Sequence, residues 1–313
     1  MSVVWSLLAT CLHAALCFAG APLLWGLVGK VHARLMGQPG ASLTQPYRHL
    51  AKLLGKTTLV PETATDMFIF WPLVTFLTLA VVVMLIPGFS AGMLTARTSD
   101  YVTVVGLLAL GRVSMMLGGL ETGAALAGAG VARLALSGFC AEAVCLLLLL
   151  VFAYLSQSTN LDVMAQVTTD RSASLAVSMV FALAAMLVVA FTGAGYRPAG
   201  QQELGMVQDA AALEYSGRLK ALLDYAAMLR LLVWMNLLIC LFIPFGMAHA
   251  GRILSWPEGL LLWGLKLLCL SIGLAVFTVI RAEIRPPRML SVFGGALFLG
   301  VLAVILLTVR AGT

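Results

Sequence analysis

The segment 201–225, QQELGMVQDAAALEYSGRLKALLDY, concentrates side chains that can gain and lose protons. It contains four of the 13 acidic residues of the chain and two basic ones: Glu203, Asp209, Glu214, Arg218, Lys220 and Asp224. Only 10% of all residues are charged, whereas 61% are hydrophobic. Carboxyl groups titrate, and burial or a nearby charge shifts their pKa values. The sequence therefore raises the question of why such an apolar chain gathers titratable groups in one segment.

Glu142 is an isolated acid in an apolar stretch, GFCAEAVCLLLLLVFAYL (138–155). An ionised carboxylate inside a membrane is costly unless it is paired or hydrated, and such residues commonly mark functional sites. We therefore favour a functional role for Glu142 over a structural one. Arg112 and Lys266 also lie in apolar stretches, but their long side chains can reach toward an aqueous interface.

Membrane-spanning helices must position these groups. The 313-residue chain has a mean hydropathy of +1.03, and its apolar residues form blocks. A block of about 20 residues crosses the hydrocarbon layer as a helix that satisfies its own backbone. We predict an all-α, polytopic membrane protein with a single transmembrane domain, residues 1–313. The eight predicted spans are about 3–29, 67–90, 101–120, 135–157, 172–194, 228–249, 258–280 and 289–309.

The distribution of arginine and lysine predicts the orientation of the chain. The connections after spans one, three, five and seven hold 13 of the 19 basic residues if Arg230, at the start of span six, is counted with them. The opposite side holds four, Arg97, Arg171, Arg252 and Arg310. Because basic residues are enriched in cytoplasmic loops, both termini are expected outside. The cytoplasmic loops are then about 30–66, 121–134, 195–227 and 281–288. The net charge of +6 mostly reflects this asymmetry, so nucleic acid is not an expected partner.

The first cytoplasmic loop contains an amphipathic segment. After a Gly/Pro turn at 37–40, Pro46 suits the first turn of a short helix. Arg48, Lys52 and Lys56 recur at i, i+4 and i+8 and form a charged face, while apolar residues recur on another face. Such a helix can lie on the membrane surface or present a docking face to a soluble partner. The pattern alone favours the membrane surface.

The sequence shows no pattern of metal or cofactor ligands. All six cysteines fall in predicted spans without a CxxC pair, and the four histidines are scattered. Buried free thiols that pack as small apolar residues are the simpler interpretation of the cysteines. We predict no catalytic residue, no metal site and no cofactor in this chain.

Three motifs resemble a known family. The stretch GASLTQPYRHLAKLLGKTTLVPE (40–62) resembles the first-loop signature, roughly QPYRDLxKLLxKE, of NADH dehydrogenase subunit 1, a membrane protein of bacterial complex I. GLETG (119–123) with GVAR (130–133) is similar to the family's GLDTG and GASRE, and LEYSG (213–217) is similar to its most recognisable motif. The resemblance is closer to the equivalent membrane proteins of group 4 hydrogenases, the branch that includes hydrogenase-4 and formate hydrogenlyase. It extends over essentially the whole chain.

The resemblance implies a membrane-anchor and proton-coupling subunit of a larger oxidoreductase complex in the inner (cytoplasmic) membrane of a bacterial or archaeal cell. The acid-rich segment would line a cavity beneath the membrane and supply polar groups to Glu142. Soluble hydrogenase-like large and small subunits would hold nickel–iron and iron–sulfur centres, and antiporter-like membrane subunits would complete the complex. The implied ion-path candidates are Glu121, Glu142, Glu203, Asp209 and Glu214. The implied docking residues are Arg48, Lys52, Lys56, Arg133 and Arg218.

The chain also departs from the family pattern. The segment AFTGAGYRPAGQQE (190–203) keeps only an arginine and a proline of the acidic Arg-x-Pro-Phe-Asp motif. Leu134 replaces the glutamate of GASRE, and GQPGA (37–41) replaces RRGP. These losses weigh against the corresponding membrane subunit of a quinone-reducing complex I, which stays an alternative. A stand-alone ion transporter is another alternative, although the two halves show no internal repeat. A purely structural anchor is the third.

Overall fold

Helices form most of the chain. The computed structural model describes residues 2–170, 177–193, 210–280 and 286–311. The helices in these ranges are α1 (Ser2–Leu35), α2 (Gln45–Leu54), α3 (Met67–Leu85), α4 (Tyr101–Leu120), α5 (Ala125–Ser156), α6 (Leu161–Asp170), α7 (Val177–Gly193), α8 (Ala210–Leu213), α9 (Gly217–Phe242), α10 (Trp256–Ile280) and α11 (Pro286–Ala311). Two short strands, β1 (Ser90–Ala91) and β2 (Ala248–His249), pair in parallel. The all-α prediction is confirmed.

Seven helices in the described ranges are long and apolar enough to cross a membrane, namely α1, α3, α4, α5, α9, α10 and α11. The shorter apolar helix α7 corresponds to the remaining predicted span, which begins in residues outside the described ranges. The protein is therefore a polytopic membrane protein, as predicted. The orientation of its termini stays a prediction.

Two helices begin well before the predicted spans. Helix α5 begins at Ala125 rather than at about 135, and α9 begins at Gly217 rather than at about 228. Most of the predicted loop 121–134 is thus helical. Its glycines and alanines are small residues that let helices pack closely, which favours helix here over loop. The beginning of α5 packs closely on its neighbours: a Cβ at Gly119, near the end of α4, would lie 3.0 Å from Cγ2 of Val131 on α5 and 2.7 Å from the Cβ of Ala211 on α8.

Helix α9 is the central helix of the bundle, because its apolar stretch is buried almost throughout. Asn236 on α9 accepts a hydrogen bond from Trp263 Nε1 on α10 at 3.0 Å, and its amide nitrogen lies 3.8 Å from Cys17 Sγ. That thiol lies 3.5 Å from Nε2 of the buried His13 on α1. A buried polar network thus joins three helices and pairs groups that lipid cannot satisfy.

A proline interrupts the hydrogen bonding of α1. Pro22 has no N–H group, so the carbonyl of Phe18, four residues earlier, loses its helical donor. Tyr225 on α9 donates its hydroxyl hydrogen to that carbonyl at 2.8 Å. Tyr47 on α2 donates to the adjacent carbonyl of Ala19. The first loop helix is therefore fastened to the interrupted turn of α1.

Candidate ion path and docking face

Glu142 forms an ion pair with Arg112 between two membrane-spanning helices. Arg112 Nη1 on α4 donates to Glu142 Oε1 on α5 at 2.8 Å. Gly138 makes room for the guanidinium, since a Cβ at that position would clash with Arg112 Nη1. The sequence predicts that the segment 202–217 supplies the polar groups nearest Glu142, but in the structure the partner of Glu142 comes from α4. A charge-assisted bond of this kind lowers the cost of holding both charges in a membrane.

The ion pair lies at the surface of the chain. Side-chain exposure is 16% for Arg112 and 31% for Glu142. Phe139 and Leu146, about one turn before and after Glu142 on α5, are 73% and 50% exposed. The carboxylate therefore interrupts an apolar surface stripe of α5. Lipid tails are a costly neighbour for such a group, so a polar neighbour is expected there.

Buried hydroxyl groups line the contact between α3 and α4. Thr75, Thr78 and Ser114 are buried, and Thr75 Oγ1 lies 3.2 Å from Ser114 Oγ. Each also bonds a backbone carbonyl of its own helix. Sequence reasoning missed them, because hydroxyl groups in apolar helices usually bond their own backbone. Their position is the useful signal, since Ser114 follows Arg112 by two residues and precedes Glu121 by seven.

Glu121 and Tyr215 bring the acid-rich segment to the end of α4. Thr65 donates its hydroxyl hydrogen to Glu121 Oε1. Tyr215, from the LEYSG motif, stacks on Phe68 with ring centroids 4.2 Å apart. Burial raises the pKa of Tyr215, and the nearby charge of Glu121 raises it further. The buried Tyr215 hydroxyl has no hydrogen-bond partner among the described residues, and water commonly satisfies such a group.

The other ion-path candidates lie apart from the ion pair. Glu214 is half-buried beside the motif tyrosine, while Glu203 and Asp209 lie outside the described residues. Glu121 follows Arg112 by nine residues, roughly 13 Å along α4. The described candidates therefore form two groups, one at the end of α4 and one at the ion pair. Ser114 lies between Arg112 and Glu121 in the sequence of α4, on the side that contacts α3.

Most of the predicted docking residues lie on or near α2. The helix begins with Pro46 in its first turn, as predicted. Arg48 and Lys52 are exposed on it, and the exposed Lys56 lies two residues beyond its end. Arg133 differs, because it is half-buried within α5 instead of lying in a loop. The exposed basic surface therefore comes from α2 and the residues that follow it.

The first loop and the start of α9 form one continuous surface. Asp224 lies 3.1 Å from His49 Nε2 on α2 and 3.0 Å from Lys220 Nζ on its own helix. Arg218 Nε donates to the carbonyl of Leu54 at 3.4 Å, so this docking candidate also tethers the loop. These contacts fix α2 relative to the membrane-spanning helices, which makes its basic face a positioned surface.

Known proteins share this sequence pattern. The sequence model of the family described as NADH dehydrogenase matches residues 7–309. Formate hydrogenlyase subunit 4 of Escherichia coli (strain K12) is 30% identical over 250 residues, which cover 79% of each chain. Hydrogenase-4 component C of the same strain is 30% identical over 255 residues, which cover 80% of each chain.

A solved structure shares the fold. The chain is similar to one chain of the membrane-bound sulfane sulfur reductase, an archaeal respiratory membrane complex, with a TM-score of 0.80. The similarity covers 96% of this chain and 99% of that chain at 15% sequence identity, a level that shows the fold alone. The match to the family model and the two relatives at 30% identity show the family as well as the fold. This chain therefore belongs to the NADH dehydrogenase family of membrane proteins, the family of NADH dehydrogenase subunit 1 of complex I.

Proposed function

We propose that this chain is the membrane-anchor and proton-coupling subunit of an oxidoreductase complex that resembles group 4 hydrogenases and formate hydrogenlyase. The Arg112–Glu142 pair carries the proposal, because it places a titratable group between apolar membrane-spanning helices. The names of the two relatives, a subunit and a component of hydrogenase systems, support a role within an assembly.

Redox centres are proposed for the partners of this chain. Within the described residues, the side chains of His, Cys, Asp and Glu do not gather in groups of three or more that could hold a metal ion. Nickel–iron and iron–sulfur centres are proposed for soluble large and small subunits that dock on the α2 side.

The proposed ion path follows α4 into the membrane. It begins at Glu121 and at Glu214 of the acid-rich segment, and it passes the buried hydroxyls of Thr75 and Ser114. It then reaches Glu142. Hydroxyl groups both donate and accept hydrogen bonds, so together with water they can pass protons between carboxylates. Each transfer moves one proton and leaves each hydroxyl group as it was.

Arg112 would position Glu142 on the path, because its guanidinium holds the carboxylate at 2.8 Å. A movement of the guanidinium would move the carboxylate and so couple events on the α2 side to the ion path. On the sequence evidence, Glu203 and Asp209 would extend the path toward the soluble arm.

A second membrane protein of the complex would cover the surface stripe around Glu142. The stripe includes the exposed Leu136, Phe139, Leu146 and Leu150 of α5. Its apolar residues suit a helix of a neighbouring membrane protein, while the carboxylate needs polar groups or water beside it. An antiporter-like membrane subunit would meet both needs and receive the ions.

Replacing Glu142 with glutamine tests the path. The amide keeps the shape of the side chain and cannot titrate. The variant complex is expected to transfer electrons to artificial acceptors at the normal rate and to lose ion-coupled activity in sealed vesicles. Glu214→Gln is expected to give the same result. Changes in vesicle pH or membrane potential report the ion-coupled activity, and reduction of the artificial acceptor reports electron transfer.

The matched control is Glu258→Gln, which removes an exposed carboxylate from the first turn of α10 at the other end of the bundle. Coupling should survive this change. If Glu142→Gln and Glu214→Gln also leave coupling intact, the acids have structural roles and the protein is an anchor.

Charge reversal on the α2 side tests docking. A variant with glutamate in place of Arg48, Lys52 and Lys56 should release the soluble subunits while the chain remains inserted in the membrane. The basic face would attract an acidic surface of the partner, whereas the three glutamates would repel that surface. Co-purification of the soluble subunits at increasing salt measures the effect.

The control for docking reverses Arg97 and Arg252, two exposed basic residues in connections at the opposite end of the bundle. That variant should retain the soluble subunits. If the α2 variant retains them with unchanged salt sensitivity, its basic face contacts lipid headgroups instead.

A further inference from the structure

The connections at the end of the bundle opposite α2 are joined into one layer, here called the cap. Strand β1, after α3, pairs with β2, after α9. Asp100 forms an antiparallel bridge with Asn160, just before α6. The amide of Leu161 donates to the carbonyl of Ser99 at 2.8 Å. Three chain connections that are distant in sequence therefore hold one another in place.

Asp162 is a buried acid within the cap. It lies in the first turn of α6, and its residue surface is 6% exposed. Its Oδ1 is buried without a hydrogen-bond partner among the described residues. The usual reason for an acid at this position is capping of the helix, but Asn160 already accepts the amide hydrogens of Asp162 and Val163 through its Oδ1. Capping therefore does not explain why Asp162 is buried.

The surroundings of Asp162 only partly compensate for the burial of its charge. Burial raises the pKa of Asp162 to about 6. A hydrogen bond from the backbone of Gly92, next to β1, and the charge of His249 on β2 act in the opposite direction but are weaker. Among the described residues, the buried thiol of Cys240 on α9 also faces Asp162.

We propose that Asp162 is a proton-binding site whose protonation keeps the cap closed and whose ionisation opens the contact between α6 and the segment around Gly92. The protonated carboxyl group tolerates burial, whereas the carboxylate is more stable in water than in the closed cap. This site lies at the end of the bundle opposite the proposed docking face and does not depend on the proposed ion path. It would let the proton concentration on that side of the membrane set the state of the cap.

The direction of the effect follows from the two proton affinities. The pKa of the carboxyl is about 6 in the closed cap and 3.8 in water, so the closed cap binds the proton more tightly. The closed cap is therefore most stable below about pH 4 and loses stability as the pH rises to about 6. Above that pH the stability of the closed cap no longer changes with pH. Across this window the equilibrium constant for opening should rise about 100-fold.

Hydrogen exchange tests the proposal on the full chain in lipid nanodiscs. Amide exchange in residues 88–93, which include Gly92, is measured between pH 4 and pH 8 and corrected for the intrinsic effect of pH on exchange. In the wild-type chain the corrected rate should rise with pH and become level above about pH 6. In Asp162→Asn, whose side chain cannot ionise, the corrected rate should stay low and flat.

Glu258→Gln is the control, because Glu258 is an exposed carboxylate in the first turn of α10 at the same end of the bundle. It should retain the wild-type profile. A flat wild-type profile, or an Asp162→Asn profile that rises like the wild type, overturns the proposal. If Asp162→Asn does not fold, infrared titration of the carboxyl band in the wild-type chain replaces this test. The proposal requires a buried carboxyl group with a titration midpoint near pH 6. The absence of such a group overturns the proposal.

Discussion

Arg112→Leu is expected to lower the free energy of unfolding by about 3 kcal/mol, near the lower end of the range for breaking a buried ion pair. The change leaves the Glu142 carboxylate without its cation in the membrane-spanning part of the bundle. The lower end applies because the Glu142 side chain is 31% exposed and not fully buried. Reversible unfolding of the purified chain in mixed micelles measures the difference.

The double variant Arg112→Leu/Glu142→Leu is the control for this prediction. It removes both charges, so no unpaired carboxylate remains, and most of the lost stability should return. A double variant as unstable as Arg112→Leu would show that the loss comes from altered packing of the arginine stem. In that case the ion pair does not carry the effect.

Gly217→Ala is expected to destabilise the chain by about 3 kcal/mol, combining backbone strain with overpacking. Gly217 begins α9 with a φ of +53°, a left-handed conformation that alanine adopts poorly. A Cβ there would also clash with the carbonyl oxygen of Thr57 in the first loop. Next to it, Ser216 Oγ accepts a hydrogen bond from the amide of Leu59 at 2.9 Å, so this is where the loop is attached.

Gly123→Ala separates the two causes. Gly123 has a similar φ of +66°, but a Cβ there would meet no atom within 4 Å. Its substitution should therefore cost only the backbone strain, about 1 kcal/mol. Equal effects at Gly123 and Gly217 would mean that contact with the first loop is unimportant. Unfolding of both variants under the same conditions, together with protease sensitivity of the first loop, gives the comparison.

The membrane-spanning helices could be predicted from sequence because the thickness of the hydrocarbon layer fixes the length of an apolar block. Their ends were harder to predict. The stretch before residue 135 is rich in glycine and alanine and gives no apolar block, yet it is helical, and α5 packs there against α4 and α8. The short helix at Pro46 could be predicted from its proline and its apolar spacing, and α2 confirms it.

The arrangement of the candidate site could be predicted only in part. Glu142 stood out as an acid within a span, but its pairing with Arg112 depends on how two helices rotate against each other. That rotation is set by packing along both helices, and a single sequence does not reveal it. The cap was missed for a similar reason, because its strands are two residues long and pair connections far apart in sequence.

The proline in α1 also has a consequence for the order of synthesis. The carbonyl of Phe18 receives its hydrogen bond from Tyr225, which is 207 residues later in the chain. A ribosome that adds roughly 5–20 residues per second needs about 10–40 s to reach that tyrosine. Until then this carbonyl needs another donor, which lipid does not provide. Helix α1 therefore gains this hydrogen bond only after Tyr225 has been synthesised.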